Sequence, residues 1–164
     1  RLYQSIMAAG ADLGLKNFGM RALLCLRLEK HFGTWFREFR PIYGPFEAGL
    51  DRFVKLDKSD FIGKAAALRE KQDGPKRTRV CMAVDAADTD AMGDEPIWVD
   101  GKVVGWVTSG GYGHWVGQSL AQGYIPTELV KPGMHMEIEI LGERIAARLQ
   151  AEPPFDPQAR RMRG

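Results

Sequence analysis

Residues 19–50 read GMRALLCLRLEKHFGTWFREFRPIYGPFEAGL, and the first dozen of them set the terms for the rest. Met20, Ala22, Leu23, Leu24, Cys25, Leu26 and Leu28 are apolar almost all the way round a helix. A helix without a polar stripe is expected to be buried. Yet Arg21, Arg27 and Glu29 interrupt it, and buried charge is costly unless each ion is paired. The segment is therefore a well-satisfied piece of a core or one wall of a site. Arg21 falls in the first turn, where the helix dipole disfavours a cation by a few tenths to about 1 kcal/mol; a nearby anion would offset that. Arg27 lies about 120° around the helix from Arg21, so the two are not expected to meet one group, and Arg27 and Glu29 read as internal partners.

Working outward, residues 1–13 show helical periodicity through Leu2, Tyr3, Ile6 and Met7, with Gly14 as a stop. Asp60 is placed to cap a helix over residues 62–72. Asp73-Gly74-Pro75-Lys76 reads as a linker, because helix-period patterning gives way there to strand-period patterning. Strands are expected at 77–84, 96–99, 103–109, 118–125, 134–141 and 144–149, with hairpin turns at Asp100-Gly101 and Gly142-Glu143. Helices followed by short antiparallel strands make an α+β chain ending in a small barrel or sandwich.

Composition narrows the function classes. A formal net charge of +2, from 23 basic and 21 acidic residues, is too weak for a general nucleic-acid binder. No apolar run approaches the roughly 20 residues that span a bilayer, so no membrane partner is expected, and no secretory signal is visible. Cys25 and Cys81 sit in apolar contexts and read as two buried thiols of a reducing, cytoplasmic compartment. The chain starts with Arg1 inside a helical pattern, which reads as part of something longer. His31, His114 and His135 lack metal-site spacing, so no metal is expected. The acidic run 85–94 does not fit a calcium loop and reads as solvated. Gly110-Gly111-Tyr112-Gly113 is not followed by a helix, so it reads as a tight barrel loop and not a dinucleotide fingerprint.

Several pieces, in order, resemble the folate-binding family of the glycine cleavage T protein. They are Gly19, Arg21 and Leu26-Arg27-Leu28-Glu29; then Pro45, Glu47, Gly49 and Leu50; then Phe61-Ile62-Gly63. Later come residues 104–110, Gln122-Gly123-Tyr124-Ile125, Pro132-Gly133 and Pro154-Phe155. Glu29-Lys30, Trp35, the 110–113 run and the C-terminal residues are similar to the end of dimethylglycine and sarcosine dehydrogenases; Ala22, where the family usually has Asp, fits that branch. The resemblance implies the helical end of a folate-binding domain over 1–73, a small antiparallel β-barrel over 77–152 and a tail over 153–164. It implies a fragment of a tetrahydrofolate-dependent aminomethyl-transfer module, with FAD only in an upstream domain and an N-methyl amine as the parent's substrate. The other readings are a non-catalytic interaction module of the same fold and a folate-dependent demethylase.

The resemblance also implies which residues face folate. Arg21 matches the family's folate-contacting arginine, and Trp35 belongs to an aromatic set (with Phe32, Phe36, Phe39 and Tyr43) able to stack on a flat ring. Arg160 stands near where the family has a substrate-contacting Tyr. Catalytic residues are expected upstream of residue 1, leaving one wall of the pocket here. Glu47, in a turn flanked by Gly and Pro, is expected to cap backbone amides.

Overall fold

The structure, a computed structural model, describes residues 1–163. Helix α1 spans Leu2–Ala9 and stops at Gly10, four residues earlier than the periodicity suggests; a 3₁₀ turn over Ala11–Leu13 carries the chain to a left-handed Gly14. Helix α2 is Met20–Glu29 and α3 is Lys64–Asp73. The N-cap of α3 is Gly63 in the left-handed region, not Asp60.

Six antiparallel strands close into a barrel in the order β1-β4-β3-β2-β5-β6. They are β1 (Arg77–Val84), β2 (Pro96–Val99), β3 (Lys102–Gly113), β4 (Gln118–Pro126), β5 (His135–Ile140) and β6 (Glu143–Gln150). Alternate positions fill the interior: Val80, Met82, Ile97, Val107, Ile138 and Leu149 are all buried in one cluster. The Asp100-Gly101 turn has positive φ at both residues, +49° and +73°, as a two-residue hairpin requires. The second hairpin turns through Leu141-Gly142, one residue before the expected pair.

Two expectations need correction. Residues 110–113 are not a loop but the end of β3. Gly110 is there for close approach, because a Cβ at that position would fall on the carbonyl of Ala91. And α2 is not buried along its length: only Leu28 and Glu29 are, while Met20 is 70% exposed. The helix reaches β3 and β4 by its C-terminal half, where Leu28 and Cys25 approach Gly111 and Glu29 approaches Gly113. A short helix α4 (Arg160–Arg163) follows the barrel.

Candidate functional site

β4 is buried on both faces over seven consecutive residues. Its inner face belongs to the barrel core, and its outer face, with Leu120, Gln122 and Tyr124, is covered by the segment after α2. A bulge in β3 helps to build this face. Trp106 and Val107 pair with Tyr124 and Gly123, Thr108 is skipped, and Ser109 opposes Gln122. The extra residue puts Ser109 on the outer face, where bulges commonly redirect a side chain.

Glu38 is the centre of what lands there. Its side chain is fully buried and accepts from Arg27 Nη1 at 3.1 Å, Thr34 N at 2.6 Å, Thr34 Oγ1 at 3.0 Å and Ser109 Oγ at 2.5 Å. Burial pushes its pKa up, but the hydrogen bonds from Ser109 and Thr34 and the charge of Arg27 outweigh that and hold it below the usual carboxylate range. Its backbone carbonyl accepts from Tyr124 Oη at 2.8 Å. Arg79, from β1, donates to the carbonyls of Ala48 and His31 at 3.1 and 3.0 Å and to Gln122 Oε1 at 2.9 Å. Gln122 Nε2 in turn donates to the Phe32 carbonyl at 3.2 Å. Tyr43 stacks on Tyr124 with centroids 3.7 Å apart and accepts from Trp106 Nε1 at 2.9 Å. The 31–50 segment is thus fixed to the barrel by a polar network that leaves only Arg27 Nε and His31 Nε2 among its buried atoms without a partner, and the pairing is what lets buried charge persist.

Arg27, Glu29 and Glu47 are held within the fold in the same way. Arg27 is an internal partner, as expected. Glu29 is internal too, but its Oε1 accepts from the backbone amides of Trp115 and Val116 at 2.7 and 3.4 Å instead of pairing with a cation. Glu47 caps amides as expected, taking Gly44 N at 3.2 Å and Arg77 N at 3.1 Å. The acidic run is partly engaged: Asp90 accepts from Ser119 Oγ at 2.6 Å, and Asp94 pairs with Arg37 at 3.3 Å. Among the described residues no group of His, Cys, Asp and Glu could hold a metal.

The clamp shapes two adjoining cavities that share Phe39 and Leu50 as walls. The first is a cleft of about 760 Å³ whose lining includes Lys30, His31, Phe32, Arg52, Phe53 and Arg163. The tail reaches it because Phe155 N donates to the Glu29 carbonyl at 3.0 Å and Lys30 pairs with Asp156 at 3.1 Å. The second is an aromatic groove with Trp35, Phe36 and Tyr43 in its wall. Neither lining contains a carboxylate. A cleft lined by cationic and aromatic side chains, with no carboxylate in its lining, suits a flat anionic ligand.

The three residues singled out in the sequence do not meet in one cavity. Trp35 lines the groove and is 83% exposed. Arg160 is exposed on α4; its backbone N donates to Asp156 Oδ1 and its Nε to Gln158 Oε1, beside the cleft but not in its lining. Arg21 is exposed in the first turn of α2, about 14 Å along the axis from Lys30, and it has no ion pair among the described residues. His31, Glu38, Arg79 and Gln122 were not legible as a site. Their roles come from contacts across 11 to 90 residues of chain, and no local signal marks them.

Comparison with known proteins follows this layout. Residues 77–156 match the glycine cleavage T-protein C-terminal barrel domain, and residues 1–58 match the GCVT N-terminal domain. The chain is 46% identical over 153 residues to mitochondrial dimethylglycine dehydrogenase of Mus musculus, covering 93% of this chain and 18% of that protein. It is 37% identical over 172 residues to mitochondrial sarcosine dehydrogenase of the same species, covering 99% and 18%. Among solved structures, glycine cleavage system aminomethyltransferase T from Bartonella henselae superposes with a TM-score of 0.83 at 27% identity, over 90% of this chain and 42% of that one. The chain thus spans less than a fifth of the length of these two dehydrogenases.

Proposed function

Because the chain belongs to the glycine cleavage T-protein family, we propose that it supplies one wall of a tetrahydrofolate-dependent one-carbon transfer unit, within a longer enzyme of the dimethylglycine or sarcosine dehydrogenase type. The observation that carries this is the cleft at the end of α2, with Lys30, Arg52 and Arg163 beside Phe32 and Phe53 and no acid in the lining. Such a wall suits the flat rings and anionic glutamate of a folate. It does not suit the amino-substituted edge of a pterin, which calls for a carboxylate acceptor. That acceptor, and the carboxylate steering proton transfer, are assigned to parts of the enzyme outside this chain.

On this reading tetrahydrofolate, when bound, supplies the nitrogens that take up the one-carbon unit. The work of this chain is positioning. Arg52 and Arg163 hold negative charge, while Lys30, paired with Asp156, anchors the tail that closes the cleft; Phe32 and Phe53 pack on a ring, and Trp35 extends the aromatic surface across Phe39. Arg160 is placed to neutralise an anionic tail at the rim. Arg21, about 14 Å up α2, would meet only the far end of an extended ligand. FAD is assigned outside this chain, since the Gly-rich run 110–113 is barrel strand. The amine substrate likewise belongs to the parent enzyme.

No helix of the described residues is long and apolar enough to cross a membrane. Cys25 and Cys81 are free, with burial pushing the Cys81 thiol up to about 12; a reducing, cytoplasmic setting is part of the proposal. The acid-free lining also favours a second reading, a non-catalytic module of the same fold. Titration of the complete gene product with 5-formyl-tetrahydrofolate, followed by tryptophan fluorescence, separates the two. Saturable quenching that weakens in Trp35→Ala and Arg21→Ala supports the folate reading; no response supports the other.

A further inference from the structure

His31 is the left-handed residue that ends α2, with φ +52°. Phe32 N donates to the Arg27 carbonyl and His31 N to the Leu28 carbonyl, both at 2.9 Å, so the conformation is that of a helix stop where glycine is the usual residue. The residue lines the cleft, and its Nε2 is buried without a hydrogen-bond partner. A non-glycine side chain at a glycine-type helix stop, with an unsatisfied buried nitrogen beside a cavity, calls for an explanation other than stability.

The buried nitrogen decides the tautomer. An orphaned buried N–H is rarer and costlier than an orphaned lone pair. Arg79, whose Nη1 donates to the His31 carbonyl at 3.0 Å, brings positive charge to this residue and favours the lone pair over a proton. The proton is therefore left to Nδ1, the ring nitrogen outside the buried, unpartnered set. We infer that His31 presents a neutral Nδ1–H donor to the cleft and is a specificity-determining residue that selects a ligand carrying a carbonyl or carboxylate oxygen there. Burial and the charge of Arg79 hold the ring's pKa down at about 3, against a weaker pull from Glu38, so the donor stays neutral at physiological pH. A cation at this point would attract any anion; a neutral donor discriminates by geometry. The ligand class rests on the folate reading of the cleft.

Two measurements on the complete gene product, with histidine-selective ¹⁵N labelling for the first, test this. ¹⁵N NMR of the imidazoles should show His31 protonated at Nδ1 and bare at Nε2 near pH 7; the opposite tautomer, or an imidazolium, overturns the inference. Then 5-formyl-tetrahydrofolate is titrated into wild type, His31→Gly and His31→Asn, with unfolding in urea measured alongside. Glycine relieves the left-handed strain, so His31→Gly should keep its unfolding midpoint while losing at least fivefold in affinity. Asparagine tolerates that backbone and keeps an N–H donor, so its affinity should lie closer to wild type. Equal affinities in all three proteins, or affinity that merely tracks stability, overturn the role of His31. Absence of saturable binding to wild type overturns the folate reading and the ligand class with it, while the tautomer measurement still decides the donor.

Discussion

Ser109 Oγ donates to the buried carboxylate of Glu38 across 2.5 Å, joining a barrel strand to a segment 71 residues earlier. The same carboxylate pairs with Arg27 at the end of α2. One side chain therefore fastens both the helix and the 31–50 segment to the barrel. Glu38→Ala should cost about 3–5 kcal/mol, because it strands the Arg27 guanidinium in a desolvated place. Urea denaturation measures this. The double variant Arg27→Met/Glu38→Leu should recover much of the loss, since neither charge is then left unpaired. A single-variant loss below about 1 kcal/mol would mean that the network is ornamental.

Acid should weaken the fold in two windows. The folded-state pKa of His31 is about 3 against an ordinary 6.5. Between those values the unfolded chain binds the extra proton, so stability falls as pH drops below 6.5. Glu38 is also depressed, so its contribution is present above its ordinary 4.5 and is lost as pH falls through the lower folded value. Unfolding curves from pH 7 to 3.5 should show a shallower decline for His31→Asn between pH 6.5 and 5. An unchanged slope there would contradict the buried neutral imidazole.

Gly110→Ala tests the close approach of the acidic loop to β3. The added methyl would fall on the Ala91 carbonyl, which is backbone and cannot swing aside. Overpacking of this kind costs about 1–3 kcal/mol or more. The control is Gly101→Asn, a change that a left-handed turn position tolerates. If both substitutions cost the same in thermal unfolding, the packing explanation fails.

The barrel was legible in the sequence because its signals are local. Strands β1 and β2 fall on the expected residues, and the alternation of Met136, Ile138 and Ile140 against Glu137 and Glu139 survives as an inside and an outside. The helical half was less legible. The apolar pattern of α2 says that something should cover it, but not that only Leu28 and Glu29 are covered within this chain. The clamp was invisible for a different reason. A bulge at Thr108 sets which side chain faces Glu38, and nothing in the local sequence marks that extra residue. Arg27 and Glu47 could be read as structural from their surroundings; His31 could not, because a histidine does not announce the left-handed helix stop that a glycine would.

With neither cavity holding a carboxylate, the 164-residue chain alone should not speed the condensation of formaldehyde with tetrahydrofolate above its spontaneous rate. Stopped-flow absorbance reads this directly. A rate that rises in proportion to protein concentration, and falls in Lys30→Ala, would place a catalytic group inside this chain.

The central claim is that the cleft at the end of α2 is the folate-facing wall. The most direct test is a TROSY backbone amide chemical-shift map of the ²H,¹⁵N-labelled complete gene product titrated with 5-formyl-tetrahydrofolate. Saturable shifts concentrated at residues 30–33, 52–53 and 157–163 are the predicted result. Shifts confined to the barrel exterior around His135 and Arg148, or no saturable shifts at millimolar ligand, would contradict it.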